Sequence, residues 1–504
     1  MENNLKITIW GREVGRLSWD RQRHCAVFSY SDEFLSGDLD IAPLTASIHD
    51  QRSRLPIFGQ KNDEIFNGLP AFLSDSLPGR WGNTVFSAWA EEHEIPEREL
   101  TPVDKLSFMG QRAMGALEFE PAQEVGKGID FRLDDLYRKA TEILENREEV
   151  VVGGEDLSLE ALYEVGTSAG GQHTKAVIAM DPQTREIRSG QVLLPPNYKY
   201  FILKFAERDY YPLTVVEYVY SLMAQRAGIT MMPCELIEVG GERHFLTERF
   251  DRVNGKKIHT QTLAAMNPNA KSYEDLMLVC EDLRLPYKER EETFRRMVFN
   301  ILTTNVDAHI RNFSFMLEEK GEWHITPAYD LTFSCFNPHN RFDPDHYLKV
   351  RGKTSGITKT DLIDFARYFS IKHPAKIIDQ VTDAVMQFRQ LAQENGVENY
   401  WIDKIEGHFA EMCPDMLGSL SGYKPAVYEF HLEDGDIWVK EARWTEMGNG
   451  AMRLTAQLNG KPFRATFPQK SEKTQEIWRL GGTKMSLEDM KRYITEYFVS
   501  RLQP

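Results

Sequence analysis

Asp307 and Asn312 lie five residues apart in Thr-Asn-Val-Asp-Ala-His-Ile-Arg-Asn-Phe-Ser-Phe, and Asp330 follows in Thr-Pro-Ala-Tyr-Asp-Leu. A carboxylate, an amide oxygen and a second carboxylate, in this order, are what phosphoryl transfer needs. The first accepts the proton of the attacking hydroxyl, and the other two hold the magnesium ions that neutralise the phosphates. The intervening residues favour bringing the second and third together. Phe313–Leu317 is an extended run, Glu-Glu-Lys-Gly-Glu makes a turn, and Trp323–Thr326 returns. A hairpin folds its open ends onto each other, so Asn312 and Asp330 are expected as spatial neighbours offering hard oxygen ligands to Mg²⁺. Taken singly, Asn312 also fits a turn and Asp330 a helix cap. It is the set of three that points to chemistry.

The offset of five between Asp307 and Asn312 matches the catalytic loop of protein kinases, although the usual His-Arg before the aspartate is absent. His309 could support that loop or simply pack. A phosphate-binding segment is expected in Gly166-Thr167-Ser168-Ala169-Gly170-Gly171-Gln172-His173-Thr174-Lys175, because glycines let backbone N–H groups approach an anion. It is neither Gly-x-Gly-x-x-Gly nor a Walker loop, and a surface hairpin fits it equally. Lys204 sits in the apolar strand Phe201-Ile202-Leu203-Lys204-Phe205, where a cation needs either solvent or a buried anion. A strand lysine of this kind holds nucleotide phosphates in kinases and pairs with a helix glutamate, here Glu217. An exposed lysine and a solvated glutamate are the alternative. Glu248-Arg249-Phe250-Asp251-Arg252 stands where a hinge would read adenine, which makes Glu248 and Phe250 nucleotide-binding candidates. A salt-bridged turn fits those residues as well.

The elements that must position these groups follow from periodicity. Short apolar stretches between turn residues over 5–30 read as strands, and Val85, Phe86 and Trp89 share one face of a helix. A polar stretch at 121–130 reads as a boundary. Residues 160–250 alternate strands with one helix, closed by Gly228. Beyond 290 helices dominate, with apolar stripes at 294–302 and 377–391. Residues 427–467 return to strands, and a final helix is expected over 486–501. The predicted division is 1–121, 122–250, 251–425 and 426–504, an α+β chain with a strand-rich front and a helix-rich back.

Composition bounds the rest. A net charge of −16 argues against a protein that grips nucleic acid or anionic lipid by its own overall field. The five cysteines show no Cys-x-x-Cys, which suits neither a zinc site nor a disulfide framework. No apolar run approaches the roughly 20 residues that span a bilayer, and the first residues lack the apolar core of a secretory signal. A cytoplasmic location and no membrane association are expected.

Thr-Ser-Ala-Gly-Gly-Gln at 167–172, Lys204, Glu-Arg-Phe-Asp-Arg at 248–252, Val-Asp-Ala-His-Ile-Arg-Asn-Phe-Ser at 306–314 and Thr-Pro-Ala-Tyr-Asp at 326–330 together resemble the HipA family. These are bacterial serine/threonine kinases that act as toxins of toxin–antitoxin systems. Leu77-Pro78 with Trp81-Gly82, and Met109-Gly110 with Gly115-Ala116-Leu117, extend the likeness, which covers roughly 1–420. The resemblance implies a two-lobed kinase-like fold of PI3/4-kinase type with a β-rich N-terminal subdomain and an all-helical C-terminal lobe. The segment from 426 would then be an added α+β module. It also implies ATP and Mg²⁺ as cofactors, Asp307 as catalytic base, Asn312 and Asp330 as metal ligands, and Lys204 and the loop as phosphate-binding. In the family a loop serine can be autophosphorylated, which expels the loop. Thr167 falls nearest that serine and Ser168 follows it. The family implies an aminoacyl-tRNA synthetase as protein substrate and a helix-turn-helix antitoxin as partner, with DNA reached only through that partner. A weakly active regulatory module, or a kinase for a small molecule, is the alternative.

Overall fold

The computed structural model describes residues 4–60, 65–122, 131–145, 157–167, 170–171, 173–191, 194–207, 211–334, 345–420 and four strands within 429–467. The chain divides into two compact units. The first comprises Met1–Glu207, Ile229–Thr293 and His309–Asp330, and the second Arg208–Gly228, Phe294–Ala308 and Leu331–Pro504.

The first unit opens with a five-stranded antiparallel sheet. Its strands are β1 (Asn4–Ile9), β2 (Arg12–Asp20), β3 (Cys25–Tyr30), β4 (Ile57–Phe58) and β5 (Leu117–Glu120), in the order β4-β3-β2-β1-β5. The helix Arg80–Glu92 buries Trp81, Val85, Phe86 and Trp89, the face its spacing predicts. These side chains share one core with Leu162 and Tyr163 of the helix Leu157–Gly166 and with Ala176 and Ile178 of the second sheet. The Trp89 and Tyr163 rings stack at 4.2 Å.

That second sheet runs β7-β6-β8-β10-β9, from β6 (Lys175–Met180), β7 (Ile187–Ser189), β8 (Lys199–Lys204), β9 (Cys234–Val239) and β10 (Glu242–Glu248). A short ribbon follows, β11 (Arg252–Val253) with β12 (Lys256–Lys257). A three-stranded sheet joins β13 (His259–Thr262) to the hairpin β14 (Ser314–Leu317) and β15 (Trp323–Ile325). The hairpin lies where the sequence predicts it. Strands β11 to β13 were not separated there, because their short polar runs (Lys256-Lys257, His-Thr-Gln-Thr) carry no apolar alternation.

A buried ionic cluster locks the end of β10 to the segment before β5. The Arg249 guanidinium grips both Asp251 carboxylate oxygens at 2.8 Å. Arg252 adds a third bond at 2.9 Å and reaches the carbonyls of Gly115 and Ala113. The Gly115 N–H donates to Asp251 at 2.9 Å. Burial alone would raise the Asp251 carboxyl, but the two guanidiniums outweigh it and hold the group well below the usual carboxylate range.

The second unit is mainly helical in its described part. Helices Leu213–Arg226, Lys359–Tyr368, Pro374–Val385, Phe388–Glu394 and Asn399–Met412 assemble with the end of Tyr287–Leu302. Tyr220 sits at the centre, edge-on to Phe299, Phe388 and Phe409, and its hydroxyl donates to the Thr303 carbonyl at 2.6 Å. Residues 429–467 form a separate four-stranded antiparallel meander, Glu429–Asp434, Ile437–Glu446, Met452–Leu458 and Lys461–Phe467. The helix expected over 486–501 and most of the boundary at 121–130 lie outside the described residues. No helix among the described residues is long and apolar enough to cross a membrane.

Removing one partner of a buried ion pair strands the others without a counter-charge. Asp251→Ala is therefore expected to lower stability by roughly 3–5 kcal/mol, read as a fall in the urea midpoint of the first unit.

Candidate functional site

Strands β6 and β8 are antiparallel neighbours, and their register sets Lys175 directly opposite Lys204. Directly opposed like charges on one sheet face repel, so the pair needs an anion. The anion is Asp330. Its carboxylate takes an ion pair from the Lys204 ammonium. Lys175 donates to the Gly170 carbonyl at 2.5 Å. Burial by itself would raise the Asp330 carboxyl, but the charges of Lys204 and Lys175, with a smaller contribution from His173, hold it well below the ordinary carboxylate range. The group stays ionised at any physiological pH. Lys204 is buried, and its ammonium lies 6.0 Å from the Phe245 ring centre.

Asp330 reaches this position from the far end of the hairpin. Phe315 pairs with Ile325 and Leu317 with Trp323, and the Thr326 N–H closes on the Ser314 carbonyl at 3.0 Å. Tyr329 completes the closure. Its hydroxyl donates to the Arg311 carbonyl at 2.8 Å and lies 2.5 Å from Ser314 Oγ, so it bridges the residues on either side of Asn312. Asn312 is itself set by a turn, its N–H donating to the His309 carbonyl at 2.8 Å. Asp330 follows Tyr329 with φ +57°, a left-handed conformation that aspartate tolerates better than most residues and that recurs at functional positions. A hard carboxylate held ionised is a donor that suits Mg²⁺. Among the described residues no cluster of three His, Cys, Asp or Glu side chains could cage a metal. A dication here would draw its remaining ligands from phosphate and water.

Asp307 belongs to the second unit, two residues before the chain enters the first unit at His309. Its N–H donates to Ser334 Oγ at 3.0 Å, and that hydroxyl lies 3.4 Å from the Asn305 amide oxygen. Asn305 is tied to Asn300 through both backbone and side chain. The backbone around Asp307 is thus fixed by a polar network at the end of the helix Tyr287–Leu302.

Two family models match the chain: the HipA N-terminal domain over residues 5–120 and the HipA-like C-terminal domain over 167–388. Together they span well over half of it. The chain belongs to the HipA family. It is 26% identical over 157 residues to the serine/threonine-protein kinase toxin HipA of Shewanella oneidensis, covering 26% of this chain and 36% of that protein. It is 27% identical over 151 residues to a Haemophilus influenzae protein provisionally named a kinase, covering 26% of this chain and 44% of that one. The matches thus span under half the length of these curated relatives. The structure resembles the HipA–HipB–operator DNA complex of Shewanella oneidensis MR-1 with a TM-score of 0.56 at 15% identity, covering 83% of this chain and all of the solved chain. At that identity the likeness shows the fold, and the fold is a mixed α+β one of HipA type.

The remaining candidate residues of this HipA-family chain fall in different places. Gly166 ends the helix Leu157–Gly166, and Gly170 and Gly171 lie in the loop before β6. Thr167 is buried, with its hydroxyl donating to the Tyr163 carbonyl at 2.9 Å, so modifying it requires the loop to open. Ser168 and Ala169 lie outside the described residues. Glu217 is buried on the helix Leu213–Arg226 of the second unit. Lys204 pairs with Asp330, which the sequence had offered only as a metal ligand. Glu248 pairs with Lys199 at 2.8 Å, and the Phe250 ring packs on Tyr329 at 5.8 Å. Arg249, Asp251 and Arg252 form the salt-bridged turn weighed as the alternative for this segment. Sequence reasoning included Lys175 only as the last residue of the expected phosphate-binding segment and gave Tyr329 no role; the register that sets Lys175 against Lys204 is visible only in the structure.

The Asp330 pair sets a pH signature. A carboxyl whose folded pKa is depressed contributes stability above its unfolded pKa and loses it as pH falls through the folded value. Lys204→Met removes the larger of the opposing charges, so burial then pushes the carboxyl upward. The variant is expected to be destabilised by roughly 1 kcal/mol at pH 7, a low figure because the Asp330 side chain is 36% exposed. Urea midpoints measured across pH should show the gap to wild type narrowing as the pH falls, because the variant's carboxyl takes up its proton at higher pH than the wild type's.

Proposed function

We propose that this chain is an ATP- and Mg²⁺-dependent serine/threonine protein kinase of toxin type. The observation that carries the reading is the convergence of Lys175, Lys204 and Asp330 beside a glycine-bearing loop, at the open end of a hairpin whose other end carries Asn312. Two ammonium groups in cross-strand register suit a polyphosphate better than a single carboxylate. On nucleotide binding Lys204 exchanges Asp330 for phosphate oxygens, and the loop N–H groups face the same anion. Asn312 and Asp330 would hold the magnesium, which neutralises charge on the transferred group and orients it. Asp307, five residues before Asn312 along the chain, is the group proposed to accept the proton of the attacking hydroxyl. Glu217, Glu248 and Phe250 are assigned lesser nucleotide-site roles.

The substrate proposed is a protein hydroxyl, with an aminoacyl-tRNA synthetase as the first to test. Thr167 or Ser168 is the proposed site of self-limiting autophosphorylation. A dianionic phosphate there would compete with the phosphates of ATP. The solved relative holds HipA with HipB and operator DNA. A HipB-like antitoxin is accordingly the proposed partner, with DNA reached through it. This fits a chain of net charge −16, which is poorly suited to hold DNA alone. A cytoplasmic location accords with such partners.

The test is purified full-length protein incubated with labelled ATP, Mg²⁺ and cell lysate. Label is expected on the protein itself and on a small set of lysate proteins. Asp307→Asn should reduce transfer by about 10²–10⁴-fold, the usual contribution of a positioned base, with the fold intact because the change is nearly isosteric. Wild-type transfer by that variant would remove Asp307 as the base. Asp330→Ala should abolish Mg²⁺-dependent nucleotide binding in fluorescence titrations, and an unchanged affinity would remove the metal role.

A further inference from the structure

Four contacts from the N-terminal domain converge on the loop before β6. The Trp81 indole N–H donates to the Lys175 carbonyl at 2.8 Å, and the Trp81 backbone N–H donates to the Gly171 carbonyl at 3.2 Å. Gly79 and Gly82 flank Trp81 and admit the loop backbone. A Cβ at Gly79 would stand 2.5 Å from the Gly171 nitrogen, and one at Gly82 2.5 Å from the Thr167 carbonyl oxygen. Neither collision could be relieved by a side-chain rotation, because the atoms struck are backbone. On the other side of the loop stands Arg112. Its guanidinium lies 4.8 Å over the Tyr163 ring and donates to the carbonyls of Tyr163 and Glu164 and to the Thr167 hydroxyl, at 3.3, 3.3 and 3.4 Å. These are groups of the last helical turn, where carbonyls lack helical partners and a cation is favoured.

We infer that this clasp makes Trp81 and Arg112 positioning residues of the nucleotide site, fixing from outside the C-terminal domain the loop that receives the phosphates. The inference rests on the kinase reading above and deepens it. The glycines of the loop offer it many backbone conformations. Nucleotide binding to a loose loop must first order it, whereas the clasp has done so in advance. Lys175 depends on the same contact. The carbonyl held by Trp81 and the ammonium turned to Gly170 belong to one residue, so Trp81 fixes the backbone from which that ammonium projects. The clasp holds the loop and its flanks rather than Asp307, Asn312 or Asp330, so loosening it should weaken nucleotide binding more than turnover.

The experiment uses the full chain with ATP·Mg²⁺ and compares wild type, Trp81→Phe, Arg112→Lys and Phe86→Leu. Trp81→Phe keeps a large ring and removes only the indole donor. Arg112→Lys keeps the charge and loses the fork. Phe86→Leu disturbs the same core, including the packing on Tyr163, and leaves both donors to the loop in place. The expected result is a KM for ATP raised by about tenfold in each of the first two, with kcat at saturating ATP within about twofold. Amide exchange should be faster over 166–176, and both changes should be absent in Phe86→Leu. The clasp is overturned if KM and exchange stay at wild-type values in both loop variants, or if all three variants shift alike in proportion to lost thermal stability. Wild-type protein that binds no ATP overturns the kinase reading itself, and that outcome is visible before any variant is made.

Discussion

Two lysines facing each other across a pair of strands are an unstable arrangement until an anion is supplied, and the first unit is arranged around supplying one. The register of β6 and β8 fixes Lys175 against Lys204. The cost is met by Asp330, delivered by a hairpin, and by the Gly170 carbonyl, delivered by the loop. Each delivered group has its own support. Tyr329 ties Asp330 to the Arg311 carbonyl and the Ser314 hydroxyl, which flank Asn312, and Trp81 ties Gly171 and Lys175 to the helix Arg80–Glu92. The resting ion pair therefore does two things at once. It gives the lysines a counter-charge, and it holds the carboxylate ionised, as the proposed metal role would require.

Much of this was legible in the sequence because it depends on local rules. The hairpin announces itself through two apolar runs and a charged turn with a glycine. The helix Arg80–Glu92 does so through spacing, and Lys204 through being a cation in an apolar strand. What could not be seen depends on register and on long-range contact. Nothing local says that β6 and β8 align at Lys175 and Lys204, so Lys175 entered only as the last residue of a phosphate-binding segment and not as the partner of Lys204 across the sheet. The Glu248–Arg252 segment shows the opposite limit. Its charges look like a functional surface, yet Arg249 and Asp251 are almost wholly buried in a cluster that closes only because Ala113 and Gly115, more than 130 residues earlier, supply backbone partners.

That cluster, the Trp81 contacts and Arg311 share a common logic. Each joins the N-terminal domain to the segments that follow through backbone groups rather than through apolar surface alone. Arg311, next to Asn312, donates to the Ile65 carbonyl, and Asp75 accepts from the N–H and hydroxyl of Thr262 at 2.7 and 2.9 Å. Backbone hydrogen bonds are directional and intolerant of displacement, so they transmit position more faithfully than hydrophobic packing does. An N-terminal domain attached in this way acts as part of the site's frame.

Burial of such polar groups is costly, and this explains where it occurs. Asp251 sits beneath two guanidiniums and one N–H, so its single negative charge is more than balanced. Asp75 has only hydrogen bonds and the more distant Arg311, and burial raises its carboxyl accordingly. Asp330 is held below the ordinary carboxylate range like Asp251, but it is more exposed and its charge is balanced by lysines rather than by two guanidiniums. A carboxylate as enclosed as Asp251 has no room to change partners, whereas burial pushes one as weakly compensated as Asp75 toward its neutral form. Ionised and partly exposed, Asp330 meets the electrostatic condition of the metal-binding role proposed for it.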